Sequence, residues 1–191
     1  MPSHSFRKWA SSRTDALDEI AQAHVAVGGT LRGRRYATQQ INRMYAVLLA
    51  SQFQGFCRDL HSESVDFVVS MISPVFQRTT QAAFVHNCQL DRGNAQPGSV
   101  GADFGRLGID LWTKADNHDP DNGLRRTLLD ELNQWRNAIV HEDFDPGKLG
   151  GTVTLQLRRV KEWRQACDGL SRSFDIIMRD HFHSLTGTAP W

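Results

Sequence analysis

The stretch Val160-Lys161-Glu162-Trp163-Arg164-Gln165-Ala166-Cys167-Asp168-Gly169-Leu170-Ser171-Arg172-Ser173-Phe174-Asp175-Ile176-Ile177 decides the fold class. Val160, Trp163, Cys167, Leu170, Phe174 and Ile177 alternate spacings of three and four, the period at which side chains return to one face of an α-helix. Helices of bundles pack along such seams. The pattern predicts a long closing helix that ends near Gly187.

The same period recurs upstream. Thr14 is a plausible cap, followed by acids in a first turn and by Leu17, Ile20, Ala21, His24 and Val25 on one stripe, with Gly28-Gly29 as a stop. A basic loop, Arg32-Gly33-Arg34-Arg35, leads to a long helix through Ile41, Tyr45, Leu48, Leu49, Phe53, Phe56 and Leu60, which Pro74 stops or kinks. A helix over about 75–90 carries Phe76, Ala83, Phe84 and Cys88. A surface loop over 91–98 and a shorter helix through Phe104, Leu107, Leu111 and Trp112 come next. Asp119 to Gly123 is a break and cap region. Leu124, Leu128, Leu132, Trp135 and Ile139 form the core stripe of the following helix. Gly147 to Gly151 is a turn, and Thr152 to Leu155 a short extended piece. The expectation is an all-α protein, an antiparallel helical bundle with an additional N-terminal helix.

With 191 residues the chain suits one domain with a sizeable core. The net charge of +1 argues against a protein held on nucleic acid by bulk electrostatics, while leaving room for a locally basic cleft. Cys57, Cys88 and Cys167 are scattered and read as buried thiols of a reducing compartment. Residues 1–13 hold no apolar signal core, and the most apolar run, 65–76, is too short to span a bilayer. The expected location is therefore cytoplasmic, away from membranes.

One segment carries chemistry: Arg136-Asn137-Ala138-Ile139-Val140-His141, near the end of a helix in the second half of the chain. A neutral imidazole can take a proton from a 2′-hydroxyl near neutral pH. A guanidinium can hold phosphate oxygens where charge develops. Arg126, Asp130, Asn133, Asn137 and His141 form a stripe almost opposite the apolar one, with Arg136 on the flank between them. On spacing alone, this stripe is equally well a solvated face that ends in a histidine favourable to the helix dipole.

The segment resembles the signature of the HEPN superfamily, Arg-(Asn/Asp/His)-x(3–5)-His. The likeness extends over roughly 36–186, through the long helix around Leu49 to Leu60 and the closing helix with Trp163, Leu170, Phe174 and Asp175. Under it the chain divides into an N-terminal helix and basic loop (1–35), a HEPN-like helical domain (36–186) and a tail (187–191). The resemblance implies a homodimer in which two such helices meet and line a cleft with paired Arg136, Asn137 and His141. It also implies an RNA substrate, metal-independent cleavage by 2′-hydroxyl transesterification, and a role in toxin–antitoxin or phage-defence systems with an antitoxin or defence partner. No cofactor is called for.

Other candidates are weaker. Arg126, Arg34 and Arg35 could touch RNA phosphates, or simply be solvated. His181 and His183, beside Asp180, lie about 200° apart on a helix and cannot share one metal ion unaided. His24, His61 and His86 sit among packing residues, and Trp135 and Trp163 lie on apolar stripes as core. Ser51 has no nucleophile-elbow glycines, and Gly28-Gly29 with Gly33 is no phosphate loop. Two alternatives to a ribonuclease stay open: a non-catalytic HEPN dimerisation or nucleotide-binding module, and an all-helical interaction protein. The segment between Leu90 and Asn122 either covers or shapes the cleft.

Overall fold

A computed structural model describes residues 1–27 and 35–191, and every regular element among them is helical. The Gly28-Gly29 stop and the basic loop through Arg34 lie outside the described residues. The helices are α1 (His4–Lys8), α2 (Thr14–Val27), α3 (Arg35–Ser70), α4 (Pro74–Val85), α5 (Pro97–Gly105), α6 (Leu111–His118), α7 (Asn122–His141) and α8 (Leu157–Thr186).

The seam of α8 is the core. Val160, Trp163, Cys167, Leu170 and Phe174 are fully buried and Ile177 nearly so. Gly187, at φ 72°, ends the helix where the sequence places its stop. On one side α8 runs parallel to α3. Arg164 Nη1 donates to the Tyr45 hydroxyl at 3.1 Å, Phe174 meets Phe53 at 6.4 Å, and Phe182 meets Phe67 at 5.4 Å. On the other side α7 runs against it. Asn122 Nδ2 donates to Ser173 Oγ at 3.1 Å, and Trp135 packs on Trp163 at 6.3 Å between ring centroids. Each pair of facing aromatics adds directional packing to the area it buries.

Four local expectations change. First, Thr14 does not cap a helix. The chain upstream is already helical: α1 passes through a π-helical turn, Trp9–Arg13, straight into α2, and the Thr14 hydroxyl donates to the Trp9 carbonyl at 2.7 Å. The cause is tertiary. Trp9 is buried against Phe53 and Phe56, each 5.8 Å away, and its indole N–H donates to Asp168 Oδ1 at 3.0 Å. Carboxylates of α3 and α8 take up backbone N–H groups at the start of α1: Asp175 accepts from Ser3, and Glu63 from His4 and Ser5.

Second, the helix expected over about 75–90 ends at Val85. Asn87 turns the chain at φ 59°, and Gln89–Asp91 forms a 3₁₀ turn whose first N–H groups are held by the buried Asp103 carboxylate. Phe76 is exposed. Third, the short helix through Phe104 and Trp112 is two helices, split at Gly108 (φ 76°) and restarted by Asp110, whose carboxylate accepts from Thr113 N–H at 3.1 Å. Fourth, 152–155 forms no strand. Leu155 is instead buried and gripped by α3: Asn42 Nδ2 donates to its carbonyl at 2.8 Å, and the Gln39 amide pairs with both its N–H and its carbonyl.

All three cysteines are free and buried, and burial pushes the Cys57 and Cys167 thiols up, away from thiolate chemistry. Among the described residues no helix is long and apolar enough to cross a membrane.

Two outcomes test this packing. Trp9→Ala should lower the unfolding free energy by about 3–5 kcal/mol in urea melts, the range for a deleted core aromatic. A loss under ~1 kcal/mol, the level of an ordinary surface substitution, would contradict a core role. Burial also raises the Asp175 carboxyl above its ordinary value, against the lowering contacts from Ser3. A carboxyl raised on folding opposes the fold when ionised, fully above its raised pKa and not at all below the unfolded value. Asp175→Asn keeps an acceptor for Ser3, so it should exceed the wild type in stability at neutral pH. That advantage should shrink as pH falls toward about 4, which thermal melts across pH would show.

Candidate functional site

Helix α7 buries a wider arc than a single stripe. Leu132 and Trp135 are buried as expected, and Leu128 and Ile139 are half-buried. Leu124, however, is 64% exposed, and Leu129, Asn133 and Ala138 are buried in addition. The reason is the chain on either side. The segment between α4 and α5 lies on the polar stripe: Asn133 Nδ2 donates to the Ala95 carbonyl at 3.0 Å, and Asn94 Nδ2 donates to Asn137 Oδ1 at 2.6 Å. The segment after Leu90 therefore covers the middle of the stripe and leaves its end open.

At that open end stands His141, exposed in the last turn. The helix is closed by Glu142 in the left-handed conformation, φ 54° and ψ 27°. Asp143 N–H bonds back to the Ala138 carbonyl at 3.0 Å, the six-to-one contact of a Schellman closure. Glycine is the usual residue there, because a Cβ crowds the neighbouring carbonyl. The loop that follows is tied to α3. The Arg43 guanidinium lies 4.2 Å over the Phe144 ring, and Leu155 is gripped as described above.

Between the end of α7 and this loop lies a cleft of about 590 Å³, lined by Gln134, Asn137, Ala138, His141, Asp143, Gly147, Lys148 and Leu149. Arg136 does not line it. It lies five positions before His141, which turns the two side chains about 140° apart around the helix axis. Arg136 instead reaches sideways and donates from Nη1 to Asn137 Oδ1 at 3.2 Å. That oxygen thus serves both Arg136 and Asn94. Among the described residues Arg136 has no carboxylate partner, unlike Arg125, Arg159 and Arg164.

The weaker candidates fall elsewhere. Arg126 lies about four turns from His141, 3.7 Å from an Asp116 carboxylate oxygen and 5.4 Å from the Trp112 ring, so its charge is partly engaged. Arg34 and the side chain of Arg35 lie outside the described residues. His61 is buried, with Nε2 3.2 Å from the Asp103 carbonyl and its ring edge-on to Phe104. His181 Nε2 sits 3.1 Å from the Leu107 carbonyl, while His183 is exposed. Among the described residues no three His, Cys, Asp or Glu side chains are grouped to hold a metal ion.

Sequence reading missed Lys148, Gln134 and Asn94. Gln134 sits seven residues before His141, close to two helical turns, and that spacing could have placed it on the same face. Lys148 and Asn94 reach α7 only through loop paths that no period encodes. Compared with family models, with curated proteins and with solved structures, the chain finds no match.

Replacing Glu142 with glycine should remove the Cβ conflict and an acid from the negative end of the helix dipole. Glu142→Gly is expected to raise stability by about 0.5–1 kcal/mol, or ~1–4 °C in melting temperature. Equal or lower stability in differential scanning calorimetry would show that this closure is not strained.

Proposed function

We propose that the chain is a metal-independent endoribonuclease of HEPN type, acting as a homodimer in which Arg136, Asn137 and His141 handle the scissile phosphate. One observation carries the reading: an exposed His141 stands in an open cleft with Asn137 in its wall, beside an arginine that no carboxylate among the described residues neutralises. The all-helical fold is consistent with it.

The angular separation of Arg136 and His141 argues for a second copy. A single chain presents its imidazole to the cleft and its guanidinium to the flank, so two motif helices facing each other about a two-fold axis would let one chain's Arg136 serve the other's His141. Val140, next to His141, is 48% exposed and supplies an apolar contact for such a pairing. Glu142 and Asp143 border the same end of α7, and a second arginine would offset their charge where a phosphate has to enter.

The reaction follows from these groups. One His141 takes the proton of a ribose 2′-hydroxyl, whose oxygen attacks the adjacent phosphorus. The bond from phosphorus to the 5′-oxygen breaks, and the partner's His141 gives that oxygen a proton. The products are a 2′,3′-cyclic phosphate and a 5′-hydroxyl. Arg136 holds the non-bridging oxygens as charge builds on them, and Asn137 orients the phosphate through its amide hydrogens. A toxin or phage-defence role rests on the family resemblance alone.

The test is cleavage of mixed cellular RNA by the purified protein in excess EDTA. Wild type should leave 2′,3′-cyclic phosphate ends, and His141→Ala and Arg136→Ala should each lose about 10²–10⁴-fold in rate with helical content intact. No cleavage, or full activity in either variant, would overturn the ribonuclease and favour a nucleotide-binding module.

A further inference from the structure

We infer that Lys148 is the cation with which each chain equips its own His141 cleft, binding the non-bridging oxygens of the RNA phosphate that the imidazole addresses. The inference rests on the reading of this cleft as the place that receives RNA; it does not require that cleavage follows.

The geometry separates Lys148 from Arg136. Lys148 and His141 line one cleft, whereas Arg136 is turned to the flank of α7. Within a single chain, then, the positive charge that faces the imidazole across the cavity comes from the loop. The loop is shaped to hold it there. Asp145 Oδ1 accepts from Gly147 N–H at 2.9 Å, and the Asp145 carbonyl accepts from Lys148 N–H at 3.0 Å and Leu149 N–H at 3.2 Å. The ideal Cβ of any other residue at Gly147 would come within 3.2 Å of Asp145 Oδ1, so glycine lets this turn close tightly. Leu149 is buried at 4% exposure and pins the backbone beside Lys148 to the core.

Lys148 is also free to change partners. Its ammonium stands 3.6 Å from Asp143 and 3.9 Å from Asp145, and its side chain is 68% exposed. Ion pairs that long and that solvated contribute little, so a phosphate dianion or diester competes readily for the ammonium. Lysine suits such a role as a mobile point charge, where arginine would demand a fixed fork. Asp143, which also lines the cleft, then acts as the placeholder for the phosphate. Its carboxylate repels an anion that enters the cleft.

The experiment titrates the protein with inorganic phosphate and with a short 2′-deoxy oligonucleotide, which offers the diester but cannot be cleaved, while the His141 ring signals are followed by NMR. Cleavage of RNA in EDTA is measured in parallel. The variants are Lys148→Met, Lys148→Arg, Asp143→Asn and Lys114→Ala, the last removing a lysine outside the cleft as a control for net charge. Saturable shifts of the His141 signals should need about ten-fold more ligand in Lys148→Met, the loss expected for one charge-assisted contact. Lys148→Arg should restore most of that loss, Lys114→Ala should match the wild type, and Asp143→Asn should bind more tightly. Wild-type affinity in Lys148→Met, or no response of His141 to either ligand, would overturn the inference. Cleavage retained in full by Lys148→Met would overturn it while leaving the ribonuclease standing. Lys148-dependent binding with no cleavage by the wild type would do the reverse.

Discussion

The burial of one face of α8 between two helices of opposite sense governs the rest of the structure. Trp163, Cys167, Leu170 and Phe174 are without solvent contact, and the elements around them are placed by what remains of that surface to cover. α3 takes one side in parallel, α7 takes the other in antiparallel, and Trp9 closes the gap beside Phe53 and Phe56. Apolar burial of this kind is non-directional, so it brings the helices together without deciding their details. The details come from polar contacts at the edges: Asp175 and Glu63 on the first turn of α1, Asp103 on the 3₁₀ turn, Asn42 and Gln39 on Leu155.

The end of α7 shows how such edge contacts make a cleft beside an ordinary helix terminus. A histidine in a last helical turn needs no function, since it complements the helix dipole by itself. What distinguishes His141 is its surroundings. The segment after Leu90 covers the polar stripe as far as Asn137 and stops there. The loop after Asp143 folds back under the grip of Arg43, Asn42 and Gln39 and faces the imidazole across a cavity. Glu142, in a conformation that suits glycine, makes the abrupt turn between them.

Much of the fold was legible beforehand. The seam of α8, its stop at Gly187 and the break before Pro74 all stand where the three-and-four spacing and the helix-breaking residues put them, because period and backbone restriction are local properties. The errors share a cause. Thr14 looked like a cap because an acidic turn follows it, yet Trp9 finds a place in the core and carries the helix back past it. Leu124 looked like core because it falls on the period, yet it stands largely exposed, while Asn133 is buried because Ala95 lies over it. A period says which residues share a face, and says nothing of which face finds a neighbour.

By itself the sequence determined that this chain is helical, where its long helices run, and that Arg136, Asn137 and His141 sit together at the end of one of them. Those are consequences of composition and spacing along a single strand of backbone. Only the tertiary structure decided that Asn94 reaches across to hold Asn137 and that Lys148 shares the cleft with the imidazole. These depend on the paths of irregular segments, set by a few long-range hydrogen bonds and by the burial of Ala95, Leu149 and Leu155. A contact between residues distant in sequence leaves no period to read, because its geometry is fixed only when the core between them has formed.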